Sequence, residues 1–162
     1  MVVEDGTKVV VVGAAGCGKT ALVTRLLAGT FSAEYMQTFG AELFVKTFLE
    51  SKQRTLQIWC CAGHERYRAL MEQFYKDARA ALVCFDMCSA ASFNEARFWL
   101  GEVKRAAPDV HVVLVGTKVD EGDQVVIKTC QAHELGVADF VSVSSKTGAG
   151  VAEVFDLVLR RL

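Results

Sequence analysis

The sequence is nearly devoid of proline: Pro108 is the only one in 162 residues. It also has no Pro/Gly-rich linker, internal repeat or low-complexity segment, so residues 1–162 are read as one domain, long enough to bury a substantial core. An excess of charge of one sign is missing too, since eighteen Lys and Arg face nineteen Asp and Glu for a net charge of -1. That balance excludes the electrostatic footprint of a nucleic-acid binder and binding to anionic lipid by charge alone. No apolar run reaches the roughly 18 residues of a membrane-spanning helix. No secretory signal precedes the six cysteines (Cys17, Cys60, Cys61, Cys84, Cys88, Cys130), so reduced thiols and a cytoplasmic location are expected.

What is present is alternation. KVVVV (8–12), ALVCF (81–85), VHVVLV (110–115) and FVSV (140–143) are short and wholly apolar or nearly so, and they alternate with helical periodicity near 19–28, 66–77, 92–106, 124–136 and 150–161. Apolar strands separated by helices predict a parallel sheet covered on both faces. ELFVKTFLE (42–50) and RTLQIW (54–59), joined by SKQ, read instead as a hairpin. The expected fold is α/β: a P-loop NTPase with a six-stranded, mostly parallel sheet, one antiparallel strand and about five helices on both faces. Ligands of such sheets bind beyond the carboxyl ends of the strands.

GAAGCGKT, Gly13 to Thr20, follows the first strand and opens a helix, which is the context that G-x-x-x-x-G-K-[ST] requires. Backbone N–H groups along Ala15, Gly16, Cys17, Gly18 and Ala21 can wrap phosphate. The helix N-terminus adds partial positive charge, Lys19 a full one, and the Thr20 hydroxyl is a ligand for Mg²⁺. A nucleotide is the expected ligand.

The strand VHVVLV runs into GTKVD, and FVSV into SSKTG. These segments resemble the base-binding signatures [N/T]KxD and SA[K/L] of the Ras-like small GTPases. The resemblance implies that Asp120 accepts from guanine N1 and N2, that Lys118 lies along the base, and that the loop Ser144, Ser145, Lys146 donates backbone N–H to guanine O6. Thr117 stands where Asn is commoner and Ser145 where Ala is, and neither change removes the backbone donors. A carboxylate suits both donors of guanine's edge and repels the acceptor N1 of adenine. Phe31 matches the aromatic that covers the guanine ring edge; a buried core Phe is the alternative.

YMQTFGAELF places Thr38 eighteen residues after Thr20, the position of the threonine that in this family bonds Mg²⁺ and the γ-phosphate. TLQIWCCAGHERYRAL and FYKDARAALVCFDM resemble the Rab pattern (KLQIWDTAGQERYR) most closely, and the similarity runs along essentially the whole chain. The departures sit in WCCAGHE. Cys60 stands where the family has aspartate, Cys61 where it has threonine and His64 where it has the glutamine that orients the attacking water. Gly63, whose amide is expected to contact the γ-phosphate, and Glu65 are retained.

A metal or redox site from Cys60, Cys61 and His64 is disfavoured, because neighbouring strand residues point to opposite faces and no second Cys/His cluster completes a site. A thiol, ordinarily neutral at pH 7 and a soft donor, suits Mg²⁺ poorly, so the ion is expected to be held weakly by Thr20, Thr38 and the phosphates. An imidazole with an ordinary pKa near 6.5 can orient water, yet one neutral orientation does less well than an amide that both accepts and donates. Ala15 adds a methyl in the phosphate loop, mildly obstructive to an incoming arginine. All three changes predict GTP bound and slow turnover, with His64, Lys19 and Thr38 as the catalytic set and GTP/GDP with Mg²⁺ as ligands.

The resemblance further implies a monomer that meets an effector, an exchange factor and a GTPase-activating protein through residues 34–44 and 60–76. Leu43, Trp59 and Phe74 stand where Rab-like proteins carry an aromatic triad; Trp59 is either an exposed hot spot or packed under the second switch. The sequence stops at VFDLVLRRL without a C-terminal cysteine motif, consistent with a trimmed tail or a tail-less protein. Membrane attachment, and with it a part in vesicle trafficking, is expected only through a lipidated tail. Two rivals remain: a non-hydrolysing scaffold that holds nucleotide constitutively, and a P-loop nucleotide kinase, disfavoured for want of an arginine-rich lid.

Overall fold

The computed structural model describes residues 6–34, 40–49, 53–64 and 68–162. Six strands, β1 (Thr7–Gly13), β2 (Ala41–Phe48), β3 (Arg54–Cys61), β4 (Ala80–Asp86), β5 (His111–Thr117) and β6 (Asp139–Ser142), form one sheet in the order β2-β3-β1-β4-β5-β6. Every pairing is parallel except β2 with β3, which is antiparallel in the register Leu43↔Trp59 and Val45↔Gln57. The expected sheet, with its single antiparallel strand, is the observed one.

The central strands are apolar on both sides because both sides are covered. Val9, Val11, Leu82, Cys84, Val113 and Val115 face α1 (Lys19–Ala28) and α5 (Val151–Arg161), where they meet Leu22, Val154, Phe155 and Val158. Val10, Val12, Ala81, Val83, Phe85 and Leu114 face α2 (Arg68–Tyr75), α3 (Ala90–Ala106) and α4 (Thr129–His133), and pack on Met71, Tyr75, Phe93, Trp99, Val103 and Ala132. Among the described residues five α-helices therefore divide two and three across the sheet, and their apolar faces close two cores. Ser89 caps α3, its side chain accepting from the Ser92 amide at 3.2 Å.

One element differs from the sequence expectation. The helix predicted over 124–136 is confined to Thr129–His133, preceded by a 3₁₀ turn over Val119–Gln124 that is broken at Gly122. The cause is the β-branched run Val125–Val126–Ile127, stiff in χ1 and poor in a helix. The amides of Val126 and Ile127 donate instead to the Met87 carbonyl at 2.9 and 3.1 Å, which straps this stretch across the β4–α3 turn.

β1 turns sharply away at the carboxyl edge, between neighbours β3 and β4, whose following helices lie on the other face of the sheet from α1. Gly13 makes the turn with φ 148°, and a Cβ there would overlap the Cys84 carbonyl. That edge is where an open α/β sheet offers its ligand crevice.

Candidate nucleotide site

Four segments meet at the carboxyl edge: Gly13–Thr20 after β1, Gly63 and His64 after β3, Thr117–Asp120 after β5, and Ser144–Lys146 after β6. They border a cavity of about 350 Å³ lined by Ala15, Gly16, Gly18, Lys19, Thr20, Ala21, the 30–34 segment, Gly63, His64 and Lys118.

Lys19 is the electrostatic centre. Its side chain is only 6% exposed, and its ammonium donates to the carbonyls of Gly13 and Ala14 at 2.9 and 2.8 Å. Among the described residues no carboxylate forms an ion pair with it. A buried cation supported by two carbonyls and the neutral Cys17 sulfur, 3.9 Å away, with no carboxylate among the described residues, calls for an anion, and the α1 N-terminus, opened by Gly18 at φ 98°, points the same way. The loop therefore fits a phosphate group.

The base side is built by cross-links between loops. The buried Thr117 hydroxyl donates to the Cys17 carbonyl, with the Phe85 carbonyl 3.1 Å away, which ties the β5 end to the phosphate loop. Lys118 donates to the Gly16 carbonyl at 3.1 Å and pairs with Asp86 at 2.9 Å. Asp120 is exposed, and its Oδ1 accepts from the Ser144 hydroxyl at 2.7 Å. Ser144 also accepts from the Thr147 amide at 3.0 Å, so the Ser144–Lys146 segment holds the carboxylate while Lys146 stays exposed. Asp120 and Ser144–Lys146 form a shelf beside the cavity rather than part of its lining. Phe31 is 40% exposed at the cavity rim, so it is not a core residue.

On the second-switch side, Gly63 is pressed on the phosphate loop, and a Cβ there would overlap the backbone of Gly13 to Ala15. His64 is exposed and lines the cavity. Cys60 is fully buried, its Sγ 3.5 Å from the Thr20 hydroxyl. Burial pushes the Cys60 thiol up, and the hydrogen bond from Thr20 opposes this only in part. Thr20 is a hard oxygen donor that fits Mg²⁺, whereas a protonated thiol beside it does not. Thr38 and Glu65 lie outside the described residues.

Cys60 and Cys61 face opposite sides of the sheet, Cys60 toward Thr20 of α1 and Cys61 toward Met71 and Tyr75, as the strand alternation predicted. Burial pushes Cys61 up to about 12 and Cys84 well above the ordinary 9.0. Unfolded thiols ionise near pH 9 while these two must stay protonated in the fold. The stability they confer is thus present below pH 9 and lost as pH rises toward 12. The loss is about 1.4 kcal/mol per thiol per pH unit. Urea unfolding at pH 10 should show lower stability than at pH 8; an unchanged midpoint would mean that the thiols reach water.

Trp59 lies across from Leu43 and packs on Phe74, with ring centroids 5.4 Å apart. It is half-buried rather than an exposed anchor, while Leu43 is 41% exposed. The triad is assembled, and its open member is the aliphatic one.

Asp86 is the residue that sequence reading passed over. It ends the otherwise apolar AALVCFD strand at the carboxyl edge, and a lone carboxylate in that place was the available signal.

The fold and this crevice define a P-loop nucleotide-binding protein of the open α/β class. Residues 8–162 match the Ras family profile, and the chain belongs to that family. It is 32% identical over 160 residues to the GTP-binding protein ypt1 of Schizosaccharomyces pombe, an alignment covering 96% of this chain and 79% of that protein.

Proposed function

We propose that the protein is a guanine-nucleotide switch of the Rab-like type that hydrolyses GTP slowly. The observation that carries this reading is the buried Lys19 ammonium, held by neutral acceptors with no carboxylate paired to it among the described residues, on a cavity whose far rim is Lys118. Lys19 would take the β- and γ-phosphates, and Asp120 with the Ser144–Lys146 backbone the base. Thr20, joined by Thr38, would hold Mg²⁺, which when bound neutralises phosphate charge. The Gly63 amide and Thr38 would sense the γ-phosphate and set the affinity for effector, exchange factor and activating protein. The similarity to ypt1 supports GTP as the ligand; a role in trafficking would need attachment to a membrane. Chromatography of the nucleotide released on denaturing the purified protein should yield GTP or GDP; adenine nucleotide in their place overturns the reading.

The second reading, a scaffold that never hydrolyses its nucleotide, is favoured by the Thr20–Cys60 contact, where a carboxylate is replaced by a thiol. Single-turnover hydrolysis with and without excess Mg²⁺ separates the two. A rate equal to that of GTP in water, even with an activating protein, establishes the scaffold. In the switch reading, His64→Gln should raise turnover, because an amide both accepts from the attacking water and donates toward the γ-phosphate. A fall would identify His64 as an adapted catalyst.

A further inference from the structure

We infer that Asp86 is a positioning residue for base recognition, acting through Lys118, an inference that rests on the guanine reading above. Lys118 takes a left-handed backbone, φ 63°, which disfavours an L residue and persists only when its surroundings enforce it. The β4–α3 turn supplies that enforcement at both ends of the residue. Asp86 Oδ2 pairs with the Lys118 ammonium at 2.9 Å, and Cys88 Sγ donates to the Lys118 carbonyl at 3.8 Å. Next to it, the Met87 amide donates to the Thr117 carbonyl at 3.1 Å.

Asp86 is itself fixed. Its Oδ1 accepts from the Cys88 amide at 2.8 Å, its own amide donates to the buried Ser92 hydroxyl at 2.8 Å, and its side chain is 15% exposed. The carboxylate thus has one orientation and no competing cation among the described residues. Two of the three ammonium protons of Lys118 are directed, one to Asp86 and one to the Gly16 carbonyl of the phosphate loop. The amine is stretched between the turn and the phosphate loop, along the wall between cavity and base shelf.

A purely structural role predicts something different. The Lys118 side chain is 40% exposed, and ion pairs that reach water add little to stability. What the pair fixes is the direction of a long side chain that would otherwise sample several rotamers, an ordering cost that ligand binding would have to meet instead.

The test is nucleotide dissociation from the whole chain, followed with a fluorescent GDP, for Asp86→Asn and Asp86→Glu in the native and Lys118→Met backgrounds. Asp86→Asn keeps size and the Cys88 contact but loses the charge. Dissociation should quicken about tenfold, the size of one charge-assisted hydrogen bond. Asp86→Glu should recover most of the retention, and Asp86→Asn should change dissociation less than twofold once Lys118 is methionine. An equal acceleration in both backgrounds, or none in the native one, overturns the inference while GDP binding stands. Failure of the unsubstituted chain to hold GDP overturns the guanine reading, and this inference with it.

Discussion

Cys60→Asp should turn a nucleotide complex that tolerates chelators into one that depends on Mg²⁺. In the native chain the Thr20 hydroxyl is 3.5 Å from a fully buried thiol whose proton burial retains. A neutral sulfur neither attracts a hard dication nor orients its water ligands, so removing the ion removes little. An aspartate there restores a carboxylate next to the one described hydroxyl able to ligate the ion. Restoring such a supporting group is worth about 10 to 100-fold in metal affinity, or about 1.4 to 2.7 kcal/mol. The substitution carries its own check. Without the cation, a carboxylate in this core is a desolvated charge relieved by the nearby Lys19, so the variant's melting temperature should rise further on adding Mg²⁺ than the native protein's, whose ion is held weakly. EDTA should accelerate release of fluorescent GDP in Cys60→Asp by at least tenfold more than in the native chain. Equal acceleration would mean that Cys60 has no part in holding the ion.

The sheet, its order of strand types and the placing of the ligand edge were legible in the sequence because apolar runs and turn motifs are local signals. The KVVVV strand, the GAAGCGKT turn and the α1 periodicity agree with one another, and together they place the phosphate loop. The opposite facing of Cys60 and Cys61 was legible too, being a property of any strand. The 124–136 stretch was not. Its apolar spacing allows a helix, but Val126 and Ile127 find a better partner in the Met87 carbonyl, forty residues away along the chain. The lone carboxylate of Asp86 was visible, but its partner was not, since Lys118 lies thirty-two residues on and is adjacent only after β4 pairs with β5. Sequence spacing finds residues that touch one ligand from one loop. It does not find the residues that aim them from another strand. Trp59 shows the complementary limit: its position was legible, but whether it faces water depends on Phe74.

Asp120→Ala should abolish discrimination between guanine and adenine while leaving the grip on phosphate intact. The exposed carboxylate offers Oδ2 to a ligand while its Oδ1 is held by Ser144. A carboxylate facing N1–H and N2–H of guanine makes two charge-assisted hydrogen bonds, each worth about 1.5 to 3 kcal/mol. Facing adenine, it meets a ring acceptor and gains nothing. Its removal should therefore cost about a thousandfold in GTP affinity, with weak ATP binding changed by no more than a few-fold. Calorimetry with both nucleotides on the same preparation measures the ratio directly. Ser144→Ala separates aiming from contact: the carboxylate remains but turns freely, so GTP affinity should fall by only about tenfold. The phosphate end supplies the internal standard, since Lys19, Gly16 and Gly18 are untouched by either change and inorganic pyrophosphate should bind all three proteins alike. If Asp120→Ala weakens GTP, ATP and pyrophosphate equally, the residue supports the architecture of the crevice instead of reading the base. The preference for guanine would then have to arise elsewhere on the shelf, from the backbone of Ser144 to Lys146.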